Sequence, residues 1–370
     1  MSPLPLASST ERARPRRQNR TESTTALGDA SARSPDRQDS PARPAPTRPR
    51  GRRFDTPAYA ALDLGTNNCR LLIARPQGAG FAVVDAFSRI VRLGEGLAAS
   101  GRLSDVAVDR TLAALRVCAD KLRRRNVALA RSVATEACRR AVNGPEFIVR
   151  AFEETGIRLD VITAEEEARL AVLGCHALIE AGDDPALVFD IGGGSTELVL
   201  VDTRGDAPRV LDWHSAPWGV VSLTESAGGG MDEAGRLAAY DRMLRLAADS
   251  IAPFAARLPQ VERPRLLGTS GTVTTLGSVH LGLSHYDRSA VDGLIAPAAA
   301  MRAISRSLAG KSVPERAQVS CIGAERADLV VAGCAILEAI MDVWPAERLG
   351  IADRGIREGI LRRLMGSARP

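Results

Sequence analysis

Leu187–Leu200 reads LVFDIGGGSTELVL, an apolar run broken by an acid, three glycines and two hydroxyls before a second apolar run begins. A matching stretch lies upstream. Tyr59–Ala74 reads YAALDLGTNNCRLLIA, and its Asp63, Gly65, Asn68 and Leu71 correspond to Asp190, Gly192, Ser195 and Leu198, each pair 127 residues apart. In both copies an acid arrives at the end of a short apolar segment, glycine permits a tight turn, and an aliphatic run resumes. Each unit therefore reads as strand, turn, strand. The Gly-Lys-Ser/Thr of a Walker loop is absent. The chain is thus read as internally duplicated, with two α/β lobes that each open on a glycine-rich hairpin.

Such a turn can cradle phosphate, because glycines let successive backbone N–H groups approach an anion with no side chain in the way. Ser195 and Thr196 can add hydroxyl donors. Asp190 cannot itself receive a bare phosphate. Its place at the strand end implies an intervening divalent cation or water, since Mg²⁺ sites keep one or two carboxylates and complete the shell with substrate phosphate and water. One such turn would equally suit a structural hairpin, but two copies with acids in the same place point to phosphate binding. A third glycine-rich segment, GTSGTVTTLG at 268–277, offers Ser270, Gly271 and Thr272 either as a closing phosphate turn or as a plain hairpin.

Composition narrows the classes. The 370 residues are 45% hydrophobic and 25% charged, ordinary for globular domains, and no run approaches the roughly eighteen apolar residues of a membrane span. No secretory signal is read at the start, so the expected compartment is the cytoplasm, with no membrane partner. Six scattered cysteines without a C-x-x-C pair argue against a zinc site or disulfide framework and read as reduced, mostly buried small hydrophobes. The four histidines have no metal-ligand spacing. The net charge of +5 is uneven: residues 1–53 hold twelve Arg against five acids, so the body is close to neutral. Residues 1–55, rich in Arg, Pro and Ser, cannot bury enough surface to offset their ordering entropy and are expected to be a disordered basic tail. The tail carries no folded nucleic-acid motif and no interleaved aromatics, so no specific nucleic-acid partner is expected.

In ITAEEEARLAVLGCHALIE (162–180), Thr163 with Glu166 three residues on reads as a capping box that starts a helix. Glu165 and Glu166 lie four and three before Arg169 and suit an exposed, ion-paired face. Glu167 instead heads a stripe of Leu170, Ala171, Gly174 and Leu178, which turns it inward. Burial there would raise its pKa toward that of a useful base. The apolar segments near 111–122 and 327–341 read as core helices.

The chain resembles the exopolyphosphatase and guanosine pentaphosphate phosphatase family, within the actin-like ATPase superfold. The residues that carry the resemblance are DLGTNNCRLLIA (63–74), VRLGEGL (91–97), ATEACRRAVN (134–143), ITAEEEARL (162–170), FDIGGGSTELV (189–199), GTSGT (268–272), ERADLVVAG (325–333) and DRGIREGIL (353–361). It implies two actin-like (ribonuclease H-like) lobes with a cleft between them: lobe I over 56–165, lobe II over 166–350, and a C-terminal helix over 351–370 that returns to lobe I. It also implies Glu167 as general base, Asp190 and Glu197 at a Mg²⁺ or Mn²⁺ ion, and a homodimer. Gly192, Gly193, Gly194, Ser195 and Thr196 would cradle the terminal phosphate, facing Asp63, Gly65, Thr66 and Asn67. Arg139 would contact the polyanion, with Arg92 and Arg70 as companions.

The expected reaction is removal of terminal phosphate from inorganic polyphosphate, with guanosine pentaphosphate as the alternative substrate. A kinase of the same superfold or a non-catalytic polyphosphate sensor would share the cradle; the kinase would need an acceptor pocket and an adenine slot, neither of which is evident. The match is to the short form of the family, without further C-terminal domains, which argues against a long processive channel. Asn68 and Cys69 depart from the residues expected in the first turn.

Overall fold

The computed structural model describes residues 56–205 and 207–367, so the expected tail lies outside the described residues. Among the described residues, eleven strands form two sheets. The first contains β1 (Ala58–Leu64), β2 (Asn68–Gln77), β3 (Gly80–Ile90), β4 (Val127–Ala134) and β5 (Leu159–Val161), in the order β3-β2-β1-β4-β5. The second contains β6 (Ala186–Ile191), β7 (Thr196–Asp202), β8 (Arg209–Ala216), β9 (Arg265–Thr269), β10 (Ile295–Pro297) and β11 (Arg348–Ala352), in the order β10-β11-β9-β6-β7-β8. β1 pairs antiparallel with β2 and parallel with β4, just as β6 pairs antiparallel with β7 and parallel with β9. Apart from the edge strand β10, the second sheet repeats the first. The 127-residue repeat in the sequence is therefore a repeat of topology.

Strand periodicity decides where the two acids point. Successive side chains of a strand face opposite sides. In β1, Ala58, Ala60, Leu62 and Leu64 enter one core with the helix Asp105–Arg124, while Tyr59 and Ala61 enter another with the helices Ala164–Cys175 and Ile356–Ser367. Asp63 shares the parity of Tyr59 and Ala61. In β6, Leu187, Phe189 and Ile191 join a core built on the helices Glu233–Ala255 and Val330–Val343. Ala186 and Val188 instead meet Ala168, Val172 and Cys175, and Asp190 shares their parity. Both acids thus lie on the sheet faces covered by the helix Ala164–Cys175.

That helix packs on both sheets at once, Leu170 and Ala171 toward the first, Ala168, Val172 and Cys175 toward the second. It belongs to neither lobe alone. The helix Ile356–Ser367 crosses it closely because glycines remove the obstructing atoms: a Cβ on Gly174 would run into the Gly355 carbonyl, and one on Gly359 into the Leu170 carbonyl. Thr163 caps the bridging helix by accepting from the Glu166 N–H at 3.2 Å. Only this half of the expected capping box forms. The Glu166 carboxylate pairs instead with Arg131 at 2.9 Å and Arg363 at 3.0 Å, so it does not join Glu165 on Arg169. Two tertiary guanidinium partners outcompete one backbone N–H.

The helix Val330–Val343 is buried almost throughout, as its apolar sequence requires. Among the described residues no helix is long and apolar enough to cross a membrane. Five of the six free cysteines are buried.

Candidate active site

The two hairpin turns are built alike. Gly65 N–H donates to Asn68 O at 2.9 Å, and Gly192 N–H donates to Ser195 O at the same 2.9 Å. Behind the first turn, Gly94 N–H donates to Thr66 O at 2.9 Å, and Val91 and Arg92 donate to Asn67 O at 2.9 and 3.0 Å. Behind the second, Val220 N–H donates to Gly192 O at 3.0 Å, Val221 N–H to Gly193 O at 2.8 Å, and Ser222 Oγ to Gly194 O at 3.1 Å. In a trans peptide the carbonyl of one residue and the N–H of the next point in opposite directions. With these carbonyls tied off behind, the amides of Asn67, Asn68, Gly193, Gly194 and Ser195 turn forward. All five residues line one cavity of about 130 Å³. The turns also touch each other, since a Cβ on Gly193 would stand 2.9 Å from Thr66 Cβ and 3.0 Å from the Asn67 nitrogen.

Asp63, Asp190 and Glu167 line the same cavity. Burial, before all else, raises the pKa of each. Asp190 is pushed up to about 7, with Glu167 and Asp63 adding repulsion. Glu167 is raised well above the usual range by burial and by Glu197, against the pull of Arg139. The guanidinium of Arg139 donates to Glu167 Oε2 at 2.7 Å and to the Ile162 carbonyl at 2.8 Å, fixing the carboxylate. Asp63 is raised as well, and its Oδ1 is buried without a hydrogen-bond partner. Glu197 stands opposite Asp190 in the β6–β7 register but does not line the cavity. Its Oε1 accepts from Ser195 Oγ at 2.7 Å and Ser215 Oγ at 3.0 Å, and burial raises its pKa to about 7.

This set fits a hard divalent cation. Asp63, whose buried Oδ1 has no hydrogen-bond partner, and Asp190 line one cavity and offer carboxylate oxygens of the kind Mg²⁺ takes together with water and phosphate. No three His, Cys, Asp or Glu side chains form a ready metal cage among the described residues.

Other expected residues are placed differently. The Thr196 hydroxyl is buried and donates to the Trp218 carbonyl at 2.7 Å, and that of Ser195 donates to Glu197, so neither is a spare donor. Arg139 lines an adjoining open groove of about 540 Å³ with Arg140, Ser215 and Trp218, and does not line the cavity itself. Arg92 is ion-paired to Asp328 at 3.0 Å and ties the first lobe to the second. Arg70 does reach the cavity. The segment after β9 is no hairpin: Ser270 caps the helix Gly271–His280, accepting from the Thr272 and Val273 N–H groups at 3.1 and 3.3 Å. Gly271 at that helix start faces Arg70 and Arg326, whose nitrogens lie 3.9 and 4.0 Å from where its Cβ would be.

Arg326 and Glu136 line the cavity although sequence reasoning gave them no role. Both stand inside stretches that carry the resemblance, ERADLVVAG and ATEACRRAVN, which was the signal available. WGVVS (218–222), which ties off the second turn, resembles nothing in VRLGEGL, its counterpart at the first, so pattern matching passed over it.

The buried acids set a pH dependence of stability. A carboxyl whose folded pKa is raised favours the native state fully below its unfolded value near 4 and loses that contribution as the pH rises through its folded value, here about 7 for Asp190 and Glu197. In chelator, the melting temperature should fall between pH 5 and pH 8, and Asp190→Asn should flatten that slope. Calorimetry across the range checks it; an unchanged slope in the variant would remove Asp190 as a source.

The model of the Ppx/GppA phosphatase family matches residues 72–368. Exopolyphosphatase 2 of Mycobacterium tuberculosis is 32% identical over 321 residues, covering 83% of this chain and 98% of that protein. Among solved structures, an exopolyphosphatase-like protein superposes with a TM-score of 0.75 at 28% identity, covering 84% of this chain and 98% of that one. The Aquifex aeolicus member of the Ppx/GppA family superposes with a TM-score of 0.70 at 26% identity, covering 85% and 99%. A family match over most of the chain and a relative above 30% identity along nearly its whole length join the duplicated hairpins and the buried carboxylates in one conclusion: the chain belongs to the Ppx/GppA phosphatase family.

Proposed function

We propose that the protein hydrolyses the terminal phosphoanhydride bond of inorganic polyphosphate. One observation carries this reading: two turns, with their carbonyls tied off behind, aim their amides into a single cavity that also holds Glu167, Asp63 and Asp190. A terminal phosphoryl group seated there would receive N–H donors from both lobes, the fixed-dipole arrangement that stabilises developing charge. Glu167, held at one oxygen by Arg139, takes the proton of the attacking water. Glu197 positions the second turn through the Ser195 hydroxyl. Arg70, Arg326 and the helix start at Gly271 bind the phosphate that follows, since guanidinium pairs well with phosphate oxygens. A Mg²⁺ or Mn²⁺ ion at Asp63 and Asp190, when bound, would neutralise phosphate oxygens and the leaving group. The enzyme acts as a cytoplasmic homodimer in this reading; the six unpaired thiols support the compartment, and sedimentation at twice the chain mass checks the dimer.

Guanosine pentaphosphate is the second reading, favoured by Trp218, an aromatic surface in the groove next to the cavity on which a purine could stack. Phosphate release measured side by side on polyphosphate and guanosine pentaphosphate, with Mg²⁺ and with chelator, separates the two. Metal-dependent release from polyphosphate is expected; turnover of guanosine pentaphosphate alone would reverse the order, and binding without turnover of either would leave a sensor.

The close approach of the turns gives a further test. A methyl at Gly193 would press on Thr66 and Asn67 and spread the cradle by a few tenths of an ångström. Gly193→Ala should lower kcat/KM about ten- to hundredfold, given that a ~1 Å misplacement costs ~10²-fold. Gly80→Ala, where the nearest atom would be 4.0 Å away, should leave it unchanged. Equal rates for both variants would show that the turns do not hold the substrate.

A further inference from the structure

Glu136 stands where the proposed substrate should. It opens the short helix Glu136–Arg140 after β4, and its side chain is only 14% exposed. Thr66 Oγ1, from the first turn, donates to its Oε2 at 3.0 Å. From the second turn, Gly194 lies so close that a Cβ there would run into the same carboxylate. The residue lines both the cavity and the adjoining groove. On the groove side, half-exposed Arg140 holds Oε1 at 3.3 Å. A carboxylate thus bridges the two turns whose amides face forward, taking a donor and a position that a phosphate oxygen would take. A polyanion entering the cradle meets this charge at close range and has to move it.

Resting on the reading of the cleft as a phosphate site, we propose that the Glu136 carboxylate is a displaceable stand-in for a substrate phosphate. It keeps the cradle ordered and sets how tightly the cleft takes up an anion. Entry of phosphate transfers Glu136 from Thr66 and Gly194 to Arg140 at the groove. Glu136 is then a specificity-determining residue: it raises the concentration of substrate needed and disfavours weak single anions such as inorganic phosphate.

The test uses the full chain with Mg²⁺ and two probes, inorganic phosphate by calorimetry and a defined short polyphosphate by initial rates. Glu136→Gln keeps the shape and the bond from Thr66 but removes the charge. Both the phosphate Kd and KM should fall together by about three- to tenfold, the scale of one like-charge interaction lost near a solvent-reachable site, and by more than kcat changes. Arg140→Gln removes the alternative partner and should raise KM. In the Glu136→Gln background it should do nothing, since the interaction it perturbs is gone. A purely structural Glu136 would lower the melting temperature without that split or that coupling. If wild type binds phosphate and turns over polyphosphate while Glu136→Gln binds no tighter, the stand-in is wrong and the phosphate site survives. A higher KM or metal requirement in Glu136→Gln would also overturn it, making Glu136 a ligand. If neither protein binds either probe, the phosphate site itself falls and the stand-in with it.

Discussion

Replacing Glu167 with Gln is expected to lower kcat by ~10²- to 10⁴-fold, the usual range for loss of general-base assistance, with KM little changed. The variant keeps the side chain's shape and can still accept from Arg139, which donates to Oε2 at 2.7 Å in the wild type. Only the proton acceptor is lost. Because burial and then Glu197 hold the Glu167 pKa well above the usual carboxylate range, the activating limb of wild-type hydrolysis should lie at higher pH than a free carboxylate would give, and the Gln variant should lose that limb. Glu165 supplies the contrast two residues away. It pairs with Arg169 at 2.6 Å on an exposed face, so Glu165→Gln should cost no more than ~0.5 kcal/mol of stability and leave turnover intact. Measuring kcat and KM for both on one polyphosphate length, across pH, decides it. Equal and mild effects would place the base elsewhere.

Removing divalent metal should abolish hydrolysis, and Asp190→Asn should raise the Mg²⁺ requirement steeply. The reason lies in the carboxylates more than in the turns. Asp63, with its partnerless buried oxygen, and Asp190, raised to about 7, face the cavity where a phosphate chain would bring further negative charge. Without a counter-ion these groups repel one another and the substrate. Mg²⁺ should therefore also raise the melting temperature of the wild type above pH 7, where Asp190 ionises, and raise it less in Asp63→Asn and Asp190→Asn. That stability readout is independent of activity. Full turnover in excess chelator, or equal Mg²⁺ stabilisation of all three proteins, would remove the cation from the site.

The sequence by itself determined the parts of this protein whose causes are local. A turn closed by a hydrogen bond between residues three apart, as from Gly65 to Asn68 and from Gly192 to Ser195, needs only the right residues in a row, so the duplicated hairpins could be read directly. The start of the bridging helix at Thr163 and the inward face of Glu167 followed from one cap and from helical spacing. Tertiary structure decided everything that depended on which distant group arrived first. Ser195 and Thr196 looked like free donors until Glu197 and the Trp218 carbonyl took their hydroxyls. Glu166 looked like a partner for Arg169 until Arg131 and Arg363 came within reach. The segment at 268–272 has the glycines of another hairpin, but β9 is followed by a helix because Ser270 caps the next N–H groups. The amides of both hairpin turns face forward only because segments about 25 residues downstream tie their carbonyls behind. A side chain's local pattern states what it is able to bind; long-range packing settles which partner it meets, because buried polar groups must be satisfied by whatever the fold brings to them.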